Sequence, residues 1–268
     1  MRISVLILTS PGREAHLQAC LQALKAQSFQ DFELIVADDG SAAGQQVAAR
    51  QCRGWKQPVY LWRANDYCMS RSYNLGAAAA TGDFLVLLSA DVLLNPRALQ
   101  SYAVSFAHLP QTVIYGYFGS DKDDLRDSVL VPGRRVNLRD ERFAFGPQGK
   151  LHCQPQMLTC PQHYAWGGNW GLARSLLIAH GMNEAFSGWG LEDVDFANRI
   201  LQRGGHLAFS LDVWAEHQAH ELIVDQDQYQ RNRQTLGPYC CILQEPGLIY
   251  DPASNPLFKH IGMGTVNS

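Results

Sequence analysis

Strand-like and helix-like stretches alternate from Ile3 to about residue 115, and no other feature limits the fold of this chain so strongly. Ile3 to Thr9 is β-rich and stops at Ser10-Pro11-Gly12, a turn signal. Leu17, Leu21 and Leu24 then share one helical face with Cys20. Phe32 to Ala37 reads as a second strand closed by Asp38-Asp39-Gly40-Ser41; a short helix and a strand near Val59 to Trp62 follow. Arg71 to Ala80 is Ala-rich and helical. Gly82-Asp83 leads into an apolar strand, Phe84 to Leu88, which ends at Ser89-Ala90-Asp91. A further helix starts near Pro96, a residue favoured in a first helical turn. The alternation predicts an α/β fold with a Rossmann-like, doubly wound, mainly parallel sheet. Ligands of such sheets sit beyond the carboxyl ends of the strands, where Thr9, Asp38, Asp39 and Asp91 fall.

The pattern weakens between about Ser120 and Gln162, which is expected to form a long loop region. Trp166-Gly167-Gly168-Asn169-Trp170-Gly171 precedes a helix from about Arg174 to His180. The run Phe186 to Asp195 then gathers Trp189, Gly188, Gly190, Glu192, Asp193 and Asp195. A helix follows at once, with Val194, Ala197, Ile200 and Leu201 on one face and Gly204-Gly205 as its C-cap. Its acids lie where the positive end of the helix dipole favours negative charge, and Asp195 is placed to pair with Arg199 at i+4. One reading is an acidic helix start with a structural tryptophan. The other is a site in which a sugar ring lies on the indole and a carboxylate takes a proton from a hydroxyl. His206 to Leu211 reads as a strand leading to Ala215-Glu216-His217-Gln218-Ala219-His220, and Pro238 to Ser268 as a Pro- and Gly-rich tail.

Composition closes off several classes. The chain has 268 residues, 46% hydrophobic and 18% charged, with net charge -3, as expected of a globular protein. No Lys/Arg block is present to grip a nucleic-acid backbone, so no nucleic-acid partner is expected. The longest apolar stretches are strand-sized, far short of the roughly 20 residues of a membrane span, and no secretory leader is read at the start. Seven cysteines without a C-x-x-C pair argue against a zinc site or a disulfide framework and for a reducing cytoplasm.

Taken in order, these residues resemble the GT-A glycosyltransferases, the nucleotide-diphospho-sugar transferase fold. The first half is similar to family 2 enzymes: Thr9-Ser10 after a strand, then Asp38-Asp39-Gly40-Ser41, Asn74-x-Gly76 and Gly82-Asp83 before a metal loop. The second half resembles the galactosyltransferase-type module, with Gly167-Gly168-Asn169, then Gly188-Trp189-Gly190-x-Glu192-Asp193-x-Asp195 and a downstream histidine. The resemblance implies one domain over residues 1–237, with a nucleotide-sugar half (1–118), a loop region (119–165) and an acceptor and catalytic half (166–237), and then a tail (238–268).

It also implies roles. Thr9, Asp38, Asp39, Arg71, Asn74, Ser89, Gly167, Gly168 and Asn169 would bind the UDP-sugar donor. Asp91, His217 and His220 would hold Mn²⁺ or Mg²⁺. Asp193 would be the catalytic base, with Glu192 and Trp189 on a saccharide or lipid-linked saccharide acceptor. Ser89 stands where the family's metal loop usually carries its first acid. The expected function is an inverting, metal-dependent hexosyl or N-acetylhexosaminyl transfer in surface polysaccharide or glycolipid synthesis, in the cytoplasm or peripherally at the inner membrane face. Two alternatives stay open: a non-catalytic nucleotide-sugar or glycan-binding protein on the same fold, and a retaining N-acetylgalactosaminyltransferase-like enzyme. Residue by residue, an Asp-Gly turn, a solvated helix face and two surface histidines are the plain readings of Asp39, of Arg71 with Asn74, and of His217 with His220.

Overall fold

The computed structural model describes residues 1–145, 151–153, 157, 160–221 and 225–236. The expected βα units are present: β1 (Ile3–Thr9), α1 (Glu14–Lys25), β2 (Phe32–Asp39), α2 (Gly44–Cys52), β3 (Val59–Arg63), α3 (Met69–Ala79) and β4 (Phe84–Ser89). Strands β3, β2, β1 and β4 lie side by side in that order, all parallel. The register sets Thr9 opposite Asp38 and Leu8 opposite Ser89, so the polar strand ends share one edge of the sheet.

Alternation along β1 explains the layering, because successive side chains face opposite ways. Ile3, Val5 and Ile7 pack with Leu17, Leu21 and Leu24 of α1, while Leu6 and Leu8 pack with Tyr73 and Ala77 of α3. Helix α3 approaches the sheet so closely that a Cβ on Gly76 would lie 2.3 Å from Leu6 Cδ2. Gly76→Ala should therefore lose about 1–3 kcal/mol by overpacking, read as a lower urea midpoint with an unchanged slope.

The second half continues the same sheet. After β5 (Val92–Leu94), α4 (Ala98–His108) and β6 (Thr112–Phe118) come short strands β7 (Leu125–Asp127), β8 (Arg135–Asn137), β9 (Phe143–Phe145) and β10 (Leu151–Cys153). Strand β11 (Asn169–Ala173), α5 (Arg174–His180), α6 (Glu192–Gln202), β12 (His206–Gln218) and α7 (Gln226–Leu236) complete the described chain. Strand β11 runs antiparallel between β4 and β6, and β12 lies beside β6 in parallel. Beyond β12, β8 and β7 extend the sheet, β5 pairs with β12 off that path, and β9 with β10 forms a separate hairpin.

Two expectations need correction here. The stretch read as loop supplies strands β7 and β8 to the sheet edge. They escape pattern reading because each is three residues long, too short to show a period. Segment 169–173, read only as a lead into the next helix, is a fully buried strand. A strand covered on both faces shows no polar alternation. The expected tail, 238–268, lies outside the described residues. Among the described residues no helix is long and apolar enough to cross a membrane, and the five described cysteines form no disulfide with one another.

A candidate active site at the carboxyl edge of the sheet

The metal-ligand candidates converge. Asp91 comes just after β4, His217 lies near the end of β12, and His220 comes just after it; β5 pairing with β12 brings the two segments together. One ligand atom from each of the three lies within 4.8 Å of the others. His220 Nε2 is 3.0 Å from Asp91 Oδ2, and His217 Nε2 is 3.7 Å from Asp91 Oδ1. The Nδ1 of His220 is 2.9 Å from the carbonyl oxygen of Glu221, so the ring donates there. A neutral ring in that tautomer aims the bare lone pair of Nε2 at a carboxylate oxygen. Only a proton or a cation between them makes that contact attractive, so the donor set fits a divalent metal. Burial lowers the pKa of His217, with Asp91 opposing, and so favours the neutral imidazole that a metal requires. Burial acts to raise the pKa of Asp91, but the His220 hydrogen bond and both histidine charges hold it well below the usual carboxylate range.

Asp193 sits in the first turn of α6 and touches the Gly-Gly segment. Its Oδ2 accepts the Gly167 amide at 2.6 Å, and its Oδ1 accepts the Val194 amide at 2.7 Å. The next carbonyl, that of Gly168, accepts the amide of Ser89 at 3.0 Å. Two consecutive residues thus tie the end of β4 to the carboxylate of α6. Both backbone donors favour the ionised form of Asp193, but burial outweighs them and raises its pKa. The neighbouring Glu192 carboxyl is raised as well, by burial and by the Asp193 charge. Leu191, just before them, is held at φ 80, a conformation that side chains other than glycine adopt at a cost of about 1–3 kcal/mol and that clusters at functional sites. Trp189 is 47% exposed, which leaves its indole accessible for stacking.

The remaining expected donor residues divide. Thr9 Oγ1 is buried with no hydrogen-bond partner among the described residues, as a group awaiting a ligand would be. Asp39 pairs with Arg63 at 3.0 Å and accepts the Asp66 amide, yet burial raises its pKa. Asp38 is different: it accepts hydrogen bonds from the Ser41 amide, the Ser41 hydroxyl and the Tyr60 hydroxyl, so it builds the turn. Arg71 pairs with Asp66 and Glu184. Asn74 bonds Met182 in both directions and also donates to Glu184. These two side chains brace α3 against the segment before α6. Asn169 is fully buried; its amide donates to the carbonyl of Val213 and accepts from Tyr102, which staples the sheet together.

Family comparison agrees with this layout. The family model described as "Glycosyl transferase family 2" matches residues 4–181. The chain belongs to that family. A second model, "N-terminal domain of galactosyltransferase", matches residues 150–215 of this family 2 chain. Among curated relatives, Validoxylamine A glucosyltransferase of Streptomyces hygroscopicus subsp. limoneus is 26% identical, with 88% of this chain covering 58% of that protein. Hyaluronan synthase of Pasteurella multocida is also 26% identical, with 80% of this chain covering 24% of that protein. The family 2 chain thus spans about three-fifths or less of these relatives. Among solved structures, S. aureus TarS 1-349 in complex with UDP-GlcNAc gives TM-score 0.63 at 15% identity, covering 89% of this chain and 66% of that one. GalNAc-T7 with UDP, GalNAc and Mn²⁺ gives 0.60 at 14% identity, covering 80% and 42%. At those identities the likeness shows the fold, which is that of the GT-A glycosyltransferases.

Several residues around the site carried no signal in the sequence. His16 of α1 stacks edge-on against His220 with ring centroids 5.9 Å apart, and both of its ring nitrogens are buried without a partner among the described residues. The side chains of Arg142 and Asp140 are fully buried as an ion pair behind the Gly-Gly segment. Tyr229 of α7 stacks on Trp189 with centroids 5.6 Å apart. The His16–His220 and Tyr229–Trp189 contacts join distant parts of the chain, and the Arg142–Asp140 pair, though only two residues apart, lies in a stretch with no helical or strand period to mark it.

Proposed function

We propose that this protein transfers a hexose or N-acetylhexosamine from a UDP-sugar to a saccharide hydroxyl, with inversion at the anomeric carbon. The observation that carries the reading is the link from Ser89 at the end of β4, through Gly168 and Gly167, to Asp193. It sets a carboxylate with a raised pKa beside the loop that would hold the donor diphosphate. Asp193 takes the proton of the acceptor hydroxyl as that oxygen bonds to the anomeric carbon and the bond to the diphosphate breaks. Trp189 offers its exposed face to the acceptor ring, Glu192 orients the hydroxyl, and Asp39 accepts the imide N–H of uracil.

Asp91, His217 and His220 would hold a divalent metal, and two imidazoles favour Mn²⁺ over Mg²⁺. When bound, such an ion neutralises charge on the diphosphate. The neighbours solved with UDP-GlcNAc and with UDP and Mn²⁺ support donor and metal alike. Residues 1–237 act as one catalytic unit in this reading. Free cysteines fit a cytoplasmic setting, with any membrane contact made through a lipid-linked acceptor.

Thermal unfolding with UDP, GDP and CDP, each with and without Mn²⁺, tests the donor site. At 100 times its dissociation constant a ligand adds about 2.7 kcal/mol. UDP with Mn²⁺ should raise the midpoint, and Asp91→Ala should abolish that rise. A shift with UDP that ignores Mn²⁺ would remove the metal from the reading. Binding with no transfer to any of a broad acceptor panel would favour the glycan-binding alternative that Ser89 motivates.

A further inference from the structure

Helix α7 lies beyond the segments matched by both family models, which end at residues 181 and 215. It nevertheless grips the turn that carries Trp189. Asn232 is 1% exposed, and its Nδ2 donates to the carbonyls of Ser187 at 2.9 Å and Gly190 at 3.0 Å. Its Oδ1 is held in turn by Gln228 Nε2 at 3.1 Å. Tyr229, one turn earlier on α7, lies against the Trp189 ring. Leu236 closes the contact by packing with Phe186, Leu191 and Val194.

The turn needs such a hold. Gly188 and Gly190 both have positive φ, at 69 and 96, and Leu191 comes next at φ 80. From Leu191 the chain enters α6 and reaches Asp193 two residues later. Without external bonds, left-handed positions crowded on both sides of Trp189 would let its ring sample many directions. A side-chain amide that donates to two carbonyls of one turn fixes its shape, and Asn232 itself is buried, so losing it leaves nothing in its place to hold the turn.

We propose that Asn232 is a positioning residue for the acceptor: it locks the Ser187–Gly190 turn so that Trp189, backed by Tyr229, and Asp193 face one saccharide ring together. This rests on the glycosyltransferase reading above. It assigns acceptor recognition in part to a helix outside the matched family segments.

The test uses the full chain and the variants Asn232→Ala, Asn232→Gln, Tyr229→Leu and Trp189→Phe. Binding of p-nitrophenyl β-glycosides of glucose, galactose and N-acetylglucosamine is followed by tryptophan fluorescence, with Trp189→Phe defining the signal from that ring. Transfer from UDP-glucose and UDP-N-acetylglucosamine to the same glycosides gives donor and acceptor constants separately. The thermal shift produced by UDP reports the donor half alone. Asn232→Ala should lower acceptor kcat/KM by about 100-fold, the scale of a misplacement near 1 Å, with donor KM and that shift unchanged. Tyr229→Leu should raise acceptor KM by roughly tenfold, as expected for one lost aromatic contact. Asn232→Gln, which retains the amide, should recover part of the loss. If donor and acceptor constants fall together, or neither moves, the assignment is wrong. Should Asn232→Ala fail to fold, Tyr229→Leu carries the same decision through its KM split. Saccharide binding through Trp189 that Asn232→Ala weakens, in a protein without transfer, would sink the transferase reading and leave the clamp standing. A wild-type protein that binds none of the glycosides overturns the clamp.

Discussion

Asp193→Asn is expected to lower turnover by about 10²–10⁴-fold, the usual worth of a positioned general base, while the thermal shift produced by UDP stays as in the wild type. The amide keeps one oxygen to accept from Gly167 or Val194 and loses the other of the two bonds, since its NH2 cannot accept, and it no longer acts as a base. The same argument fixes a pH dependence. The base must be ionised, and burial raises its pKa against the opposing backbone donors and the Arg142 charge. The acid limb of the kcat/KM profile should therefore lie above the ordinary aspartate value of about 3.9, with the rate falling as pH drops through the raised value. Burial and the Asp193 charge push Glu192 up to about 8, so it is still protonated as Asp193 ionises and Glu192→Gln should leave this limb in place. A limb that moves down in Glu192→Gln would mean that Glu192 already carries charge while Asp193 titrates. Full activity in Asp193→Asn would remove the base assignment.

The largest effect on stability is expected from Arg142→Met. The Arg142 and Asp140 side chains are both 0% exposed and meet at 2.6 Å. Arg142 also donates to the carbonyls of Gly116 and Tyr164, and Asp140 accepts the amide of Phe118. Its guanidinium lies 5.1 Å from the Phe118 ring and 5.2 Å from the Trp166 ring. Removing one partner leaves the other charge buried and uncompensated, which costs about 3–5 kcal/mol. Urea denaturation measures this directly. The pair Arg142→Met with Asp140→Leu should recover a large part of the loss, because the stranded carboxylate is gone as well. If the double variant is no more stable than the single one, the cost comes from the lost backbone bonds and not from the charge.

How much of this was legible depends on how local each signal is. The βα units read correctly because turn residues and periodic leucines stand next to each other, as in Thr9-Ser10-Pro11-Gly12 and Leu17, Leu21 and Leu24. The Asp195–Arg199 pair came from helix spacing and is present at 2.8 Å. Strand β11 was not legible, since a strand buried on both faces lacks alternation. In the site, the resemblance named Asp91, His217 and His220, and the fold brings them together. It also named Asp38, Arg71, Asn74 and Asn169, whose polar atoms serve the turn, the brace and the sheet. A polar residue near a strand end looks the same in sequence whether it bonds a ligand or its own backbone. Asn232 was missed because its partners in the Ser187–Gly190 turn are fixed by tertiary folding alone, and Arg142 because nothing in the sequence shows that its pair with Asp140 is buried.

The reversed strand β11 has a consequence for how such a chain is assembled from parts. It is bonded to β4 on one side and β6 on the other, and both family matches include it, since one spans 4–181 and the other 150–215. It is therefore a shared seam rather than a border. A chimera that exchanged the acceptor half while discarding β11 would lose the Gly167–Gly168 entrance and expose the edge of β4. Grafts that keep residues 167–173 and exchange the chain downstream of them would keep β11 paired with both of its neighbours, which makes this seam the natural crossover between the two matched segments.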